Sequence, residues 1–166
     1  VSDEESKALE LRNQTLADAS HTHHRDGLQR LFESVITFST EALKAAALIN
    51  GGAAAGTLAF ISQALQTKPQ LAVALVGPIK CFGWGLFFAV LATGVAYFSQ
   101  ACFATSWSRD EYINEHPYIL ETKATNNWRD AGISFQVLAI ALIFLAYILA
   151  LYGFYLAANV LEKSVL

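Results

Sequence analysis

Residues 45–62 read AAALINGGAAAGTLAFIS, eighteen residues without a charged side chain. At helical rise such a stretch covers ~27 Å, close to the ~30 Å hydrocarbon core of a bilayer, which makes it a membrane span. Inside it Gly52 and Gly56 form a small-xxx-small pair, and Ala45, Ile49, Gly52, Gly56 and Ala59 share one helical face where a second backbone can come close. That face is expected to touch protein, and the other spans to assemble around this one. Asn50 lies beside it, and an amide that hydrocarbon cannot satisfy is expected to bond to a neighbouring helix, for about 1 kcal/mol.

The rest of the chain has the same character. Of 166 residues, 54% are hydrophobic and 15% charged, against about 25% charged in an ordinary soluble domain. The formal charge is −3 and the eleven Lys and Arg are scattered, so neither a nucleic-acid footprint nor a polybasic lipid anchor is expected. Two cysteines, Cys81 and Cys102, are 21 positions apart. On one helix they would be ~32 Å apart, too far to pair, and they read as buried small residues.

Ser2 and Glu5 match the S-x-x-E capping box, so a helix is expected to begin near Asp3. The opening VSDEESKALELRNQ has neither the apolar core nor the cleavage site of a secretory signal, and the first span is expected to target the chain. His21, His23 and His24, followed by Asp26 and Gly27, are expected to interrupt the first helix. Three imidazoles this close can bind a transition metal when presented together. Their spacing fits no closed site, and a solvated linker or a pH-sensitive contact near the membrane are the other readings. From Leu28 onward, Leu28, Leu31, Phe32, Val35 and Ile36 recur at helical steps, with Arg25, Arg30 and Glu33 off the stripe. No proline lies between Gly27 and Lys68, so a helix of roughly 38 residues is expected to run into the span. Glu41 and Lys44, three apart at the membrane entry, can pair or snorkel.

Residues 71–104 are apolar except for Lys80 and too long for one straight span. Gly77-Pro78 is expected to divide them into a short segment at 71–76 and a second span from about residue 79. Gly85, Ala89, Ala92, Ala96 and Ser99 give that span a small-residue face. Residues 105–132 read as a polar loop whose Trp107, Tyr112, Tyr118 and Trp128 suit an interfacial belt. Residues 133–161 carry no charge, and Ala139, Ala146, Ala150, Gly153 and Ala157 repeat the small-residue theme in a third span. The domain plan is therefore a polar and amphipathic helical region (1–38), a first span (39–65), a short segment with a second span (71–104), an interfacial loop (105–132) and a third span (133–161). The fold class is an all-α integral membrane protein with three transmembrane helices, the first continuous with a long amino-terminal helix.

Lys7, Arg12, Arg25, Arg30, Arg109, Lys123 and Arg129 lie on one side of this plan, against Lys68, Lys80 and Lys163 on the other. Seven against three places the amino terminus and the long loop in the cytoplasm. All four histidines lie outside the spans and there is no methionine. No axial ligand for a haem between helices is apparent, and no cofactor or metal is expected. No acidic residue lies inside a predicted hydrocarbon segment, which argues against a proton relay. Thr57, Gln100 and Gln136 could line a pore, and amides and hydroxyls can equally join helices. Arg109-Asp110 with His116 resembles the Arg-x4-6-His signature of HEPN ribonucleases, in which a basic residue and an imidazole would manage phosphate charge and proton transfer. That family needs a larger soluble helical bundle, so a loop salt bridge is the expected role and no catalytic residue is assigned.

Residues 42–61, ALKAAALINGGAAAGTLAFI, resemble the first span of small, mostly uncharacterised bacterial multi-span inner-membrane proteins, which carry a similar Leu-Lys and Ile-Asn-Gly-Gly-Ala before an apolar run. The resemblance implies an inner-membrane location, bacterial origin and about three spans, and brings no activity. Asn50, Gly52, Gly56, Gly85, Ala89, Ala150 and Gly153 are the expected helix-packing or oligomer contacts. Three spans with small-residue stripes cannot use every stripe within one copy while enclosing water. The expected function is thus a homo-oligomeric, non-enzymatic inner-membrane protein that forms a pore or perturbs the bilayer in a defence or stress response. The alternative is an anchor or scaffold that recruits a soluble partner through its cytoplasmic helix and loop. Partners are lipid, further copies of the chain and that protein partner, with no nucleic acid.

Overall fold

The computed structural model describes residues 3–165 and is helical apart from one small hairpin. Helix α1 spans Asp3–Thr67, α2 Pro69–Ala74, α3 Val76–Trp107 and α4 Lys123–Val165, with strands β1 at Glu111–Tyr112 and β2 at Ile119–Leu120. Three helices are long and apolar enough to cross a membrane. Only 11%, 28% and 22% of their most apolar windows is buried within the chain, and Leu48, Val90, Tyr97, Phe144 and Leu151 are all more than 60% exposed. In water that much outward apolar surface drives aggregation, whereas hydrocarbon accepts it. The chain has the make-up of a multi-pass membrane protein.

Helix α1 starts at Asp3, while Ser2 of the capping box lies outside the described residues. The histidines do not interrupt it, and α1 is one helix of 65 residues. A single interior glycine costs about 1 kcal/mol, too little for Gly27 to stop a helix whose flanks are packed. Leu28 and Phe32 of the amphipathic stripe are half-buried, Val35 and Ile36 are exposed, and the side chain of Leu31 lies outside the described residues.

The break after α2 falls at Leu75, upstream of the expected Gly77-Pro78. Pro78 is instead the third residue of α3 and fully buried. A proline in the first turn gives up an N–H that has no intrahelical acceptor anyway. The connection after α3 is also shorter than 105–132, because α3 continues to Trp107 and α4 begins at Lys123. Thr122 caps α4: its hydroxyl accepts the Thr125 N–H at 3.1 Å, and its carbonyl accepts the Asn126 N–H at 3.1 Å. Within the connection β1 and β2 pair antiparallel, Glu111 opposite Leu120 and Tyr112 opposite Ile119.

The chain divides into two compact units. One takes the residues up to Phe38 together with Ser99–Ser134. Its helices are joined by hydroxyl-to-carbonyl bonds, Ser99 to Gly132 at 2.8 Å and Ser106 to Thr125 at 2.9 Å. Gly132 accommodates the Phe103 ring, and Phe32 meets Trp107 edge-on at 5.2 Å between centroids. The other unit takes Ser39–Phe98 and Phe135–Leu166. Its centre is an alanine seam, Ala46, Ala89 and Ala146, flanked by Ala47, Phe88 and Tyr147. Small side chains there let three helix backbones approach, the usual basis of helix association where apolar burial gives no advantage over lipid.

Candidate functional sites

In the apolar unit the most constrained polar group is Asn50, which is fully buried. Its amide nitrogen donates to the Ala46 carbonyl of its own helix at 2.9 Å and to the Ala146 carbonyl of α4 at 3.2 Å. Its carbonyl oxygen has no conventional partner and rests on Gly85 of α3, where any Cβ would overlap the amide. Three helices therefore meet at one asparagine because one of them offers a glycine. Gly153 plays a comparable part against the ring of Phe82, and Ala89 and Ala150 are buried. Tyr147 adds a hydroxyl bond of 3.1 Å to the Ala42 carbonyl.

Gly52 and Gly56 behave differently. Nothing in the chain approaches within 4 Å of where their Cβ atoms would sit, and both are exposed, as is Ala59. The chain's own packing uses another face of α1, the one carrying Leu43, Ala46 and Asn50. The polar residues considered as pore-lining have separate local surroundings. Thr57 is bonded back to the Ala53 carbonyl at 2.7 Å, Gln136 is half-buried, and the buried Oε1 of Gln100 has no partner. Cys102 is buried and Cys81 only half-buried, and both are free thiols.

In the polar unit one of the three neighbouring histidines holds the hairpin and a second faces the residue before it. Nε2 of the buried His21 lies 2.8 Å from the Tyr118 carbonyl and 3.2 Å from that of Ile113. Two acceptors facing one nitrogen require that nitrogen to carry the hydrogen. The Tyr118 carbonyl also accepts the Ile113 N–H at 2.9 Å, and it is aimed at both donors by a left-handed backbone, φ 67°, in a residue that rarely adopts one. The His21 ring meets Tyr112 edge-on at 4.9 Å, and Arg25 covers the other part of that tyrosine at 5.7 Å. His24 points its Nε2 at Asp110, 3.8 Å from a carboxylate that is only 6% exposed. That separation is beyond hydrogen-bond reach, and neither His24 Nε2 nor Asp110 Oδ1 has a hydrogen-bond partner.

His23 is exposed, so the three histidines are not presented together, and no group of three metal-ligating side chains converges among the described residues. Arg109, Asp110 and His116 likewise make separate contacts. Arg109 lies over the Trp128 ring at 5.8 Å, Asp110 faces His24, and the exposed His116 meets Tyr118 at 5.8 Å. The expected loop salt bridge is replaced by this link from Asp110 to α1, since a carboxylate buried in the loop meets the helix surface before it meets the exposed arginine beside it. Two ion pairs among the described residues are local, Glu41 with Lys44 at 3.0 Å and Glu121 with Arg129 at 2.9 Å.

The sequence carried no alternation that would announce a hairpin of two-residue strands, and the roles of His21 and Asp110 depend on it. The one local signal is weak: Thr122 is a residue type that caps helices, without the Glu or Gln three residues on that would mark the start of α4. Compared with known proteins, no family model, no curated protein and no solved structure matches the chain.

Proposed function

We propose that this chain is a small bacterial inner-membrane protein that self-associates through the Gly52–Gly56 face of α1, and that the assembled copies form a pore or otherwise perturb the bilayer in a defence or stress response. The observation that carries the reading is the contrast among glycines. Gly85, Gly132 and Gly153 are filled by Asn50, Phe103 and Phe82, whereas Gly52 and Gly56, like Gly27, Gly77, Gly83 and Gly94, meet nothing within 4 Å, and of these only Gly52 and Gly56 stand four residues apart on one helical face. In a membrane helix such a pair allows the backbone-to-backbone contact of a small-xxx-small dimer. A second copy presents the same face, and a symmetric pairing needs only one self-complementary surface. The alanine seam and Asn50 fill the centre of the apolar unit, so an aqueous path would run between copies.

The test is the mass of the particle in native lipid nanodiscs. Wild-type chain is expected as a multimer and Gly52→Leu as a monomer with unchanged helicity, since leucine blocks the close approach without touching the intramolecular contacts. Expression of wild type, and not of the variant, is expected to dissipate the membrane potential. A strictly monomeric wild type would end this reading.

The scaffold reading has an observation of its own. Leu9, Leu11 and Leu16 are 62%, 67% and 45% exposed on an otherwise polar stretch of α1, Leu9 and Leu16 on one helical face and Leu11 on the opposite one, apolar side chains that a soluble partner would cover. Under that reading a stoichiometric foreign partner survives gentle solubilisation and is lost in Leu9→Glu/Leu11→Glu.

A further inference from the structure

At the far end of the apolar unit, α1 ends at Thr67, α2 begins at Pro69, and the last turns of α4 come alongside. Between them lies a cavity of about 640 Å³ whose walls include Lys68, Lys163, Thr67 and Ser164, set against Leu71 and Val160. An adjoining cavity of about 730 Å³ shares Thr67, Lys68, Leu71 and Ser164 and continues past Phe60 and Leu161. The walls of this space therefore mix two cations and several hydroxyl and amide groups, Gln63 and Gln66 among them, with the apolar side chains of Leu71, Phe60 and Leu161.

The two amines are unbalanced. Lys44 has Glu41 and Arg129 has Glu121, but among the described residues neither Lys68 nor Lys163 has a carboxylate within ion-pair distance. Glu162, next to Lys163 in sequence, is not part of either wall. The negative ends of helices explain a cation near a terminus. They do not explain two cations lining one cavity that also has apolar walls. Because these residues follow immediately on the apolar runs of α1 and α4, they fall at headgroup depth when those runs span a bilayer.

We propose that this cavity binds an anionic phospholipid, with the phosphate between Lys68 and Lys163, the hydroxyls of Thr67 and Ser164 as further donors, and the start of an acyl chain along Leu71, Phe60 and Leu161. The site rests on the reading of the helices as membrane spans and is independent of self-association.

Native mass spectrometry of the full chain in neutral detergent tests it, with phosphatidylglycerol or phosphatidylcholine added as the probe. A basic residue near an anionic headgroup is worth about a fivefold gain in affinity, so two give about a 30-fold preference for phosphatidylglycerol. The preference is expected to vanish in Lys68→Gln/Lys163→Gln and to persist in Lys80→Gln, whose lysine is outside both cavities. Millimolar inorganic phosphate is expected not to displace the lipid, because it has no acyl chain. Equal retention of the two lipids, or a preference unchanged in the double variant, overturns the proposal, and displacement by inorganic phosphate reassigns the cavity to a free anion. The lipid count per chain is read for monomers and multimers separately, so failure of self-association leaves this result interpretable.

Discussion

Replacing Gly85 with alanine adds one methyl group at the point where three helices meet. The Asn50 Oδ1, Cγ and Nδ2 atoms all lie at 3.0 Å or closer to where that methyl carbon would sit, so the amide must move or the helices must part. If the amide moves, it gives up its 3.2 Å bond to the Ala146 carbonyl, a cross-helix bond worth about 0.6–1.7 kcal/mol in a membrane bundle. If the helices part, overpacking costs about 1–3 kcal/mol. Alanine regains about 1 kcal/mol as the better helix former. With that gain subtracted, Gly85→Ala is expected to lose up to about 2 kcal/mol, read as a shifted unfolding midpoint on titration with SDS in mixed micelles. The signature is the double variant. Asn50→Ala removes the group with which the methyl collides, so Asn50→Ala/Gly85→Ala is expected to be no less stable than Asn50→Ala alone, a coupling well outside the ~0.5 kcal/mol of independent sites. Additive effects of the two substitutions would refute the idea that this glycine exists to seat the asparagine.

Two further predictions concern the polar unit. His21→Ala leaves the carbonyls of Ile113 and Tyr118 without their shared donor and is expected to destabilise the hairpin by about 1–3 kcal/mol, seen as faster hydrogen exchange at the Ile113 amide than in the exposed-site control His23→Ala. Thr122→Ala removes the side-chain acceptor of the Thr125 N–H and is expected to cost about 0.5–2 kcal/mol, with accelerated exchange confined to the first turn of α4. Exchange spreading along the whole helix would show that the cap does more than close one end.

The helices were legible in the sequence because hydrocarbon imposes a simple rule: long uncharged runs must satisfy their own backbone. Residues 45–62, 81–104 and 133–161 obey it, and each lies inside one of the long helices. Helix ends were less legible, since Pro78 is harmless in a first turn and the Thr122 cap starts α4 well before its apolar run begins. The facing of small residues was legible only in part. Periodicity puts Asn50 beside the Gly52–Gly56 stripe, yet it cannot say which of two adjacent faces the chain takes for itself, and the chain takes the side of Ala46 and Asn50. The hairpin and its imidazole contacts were not legible at all. They join residues about 90 positions apart, through backbone carbonyls that no side-chain pattern announces.

Self-association through α1 is most directly tested by oxidative cross-linking of Gly52→Cys in native membranes, in a background with Cys81→Ser and Cys102→Ser. The account predicts a disulfide-linked dimer for Gly52→Cys and none for Leu151→Cys, at a position 70% exposed on α4. Equal cross-linking at the two positions, or only monomer at Gly52→Cys, would contradict it.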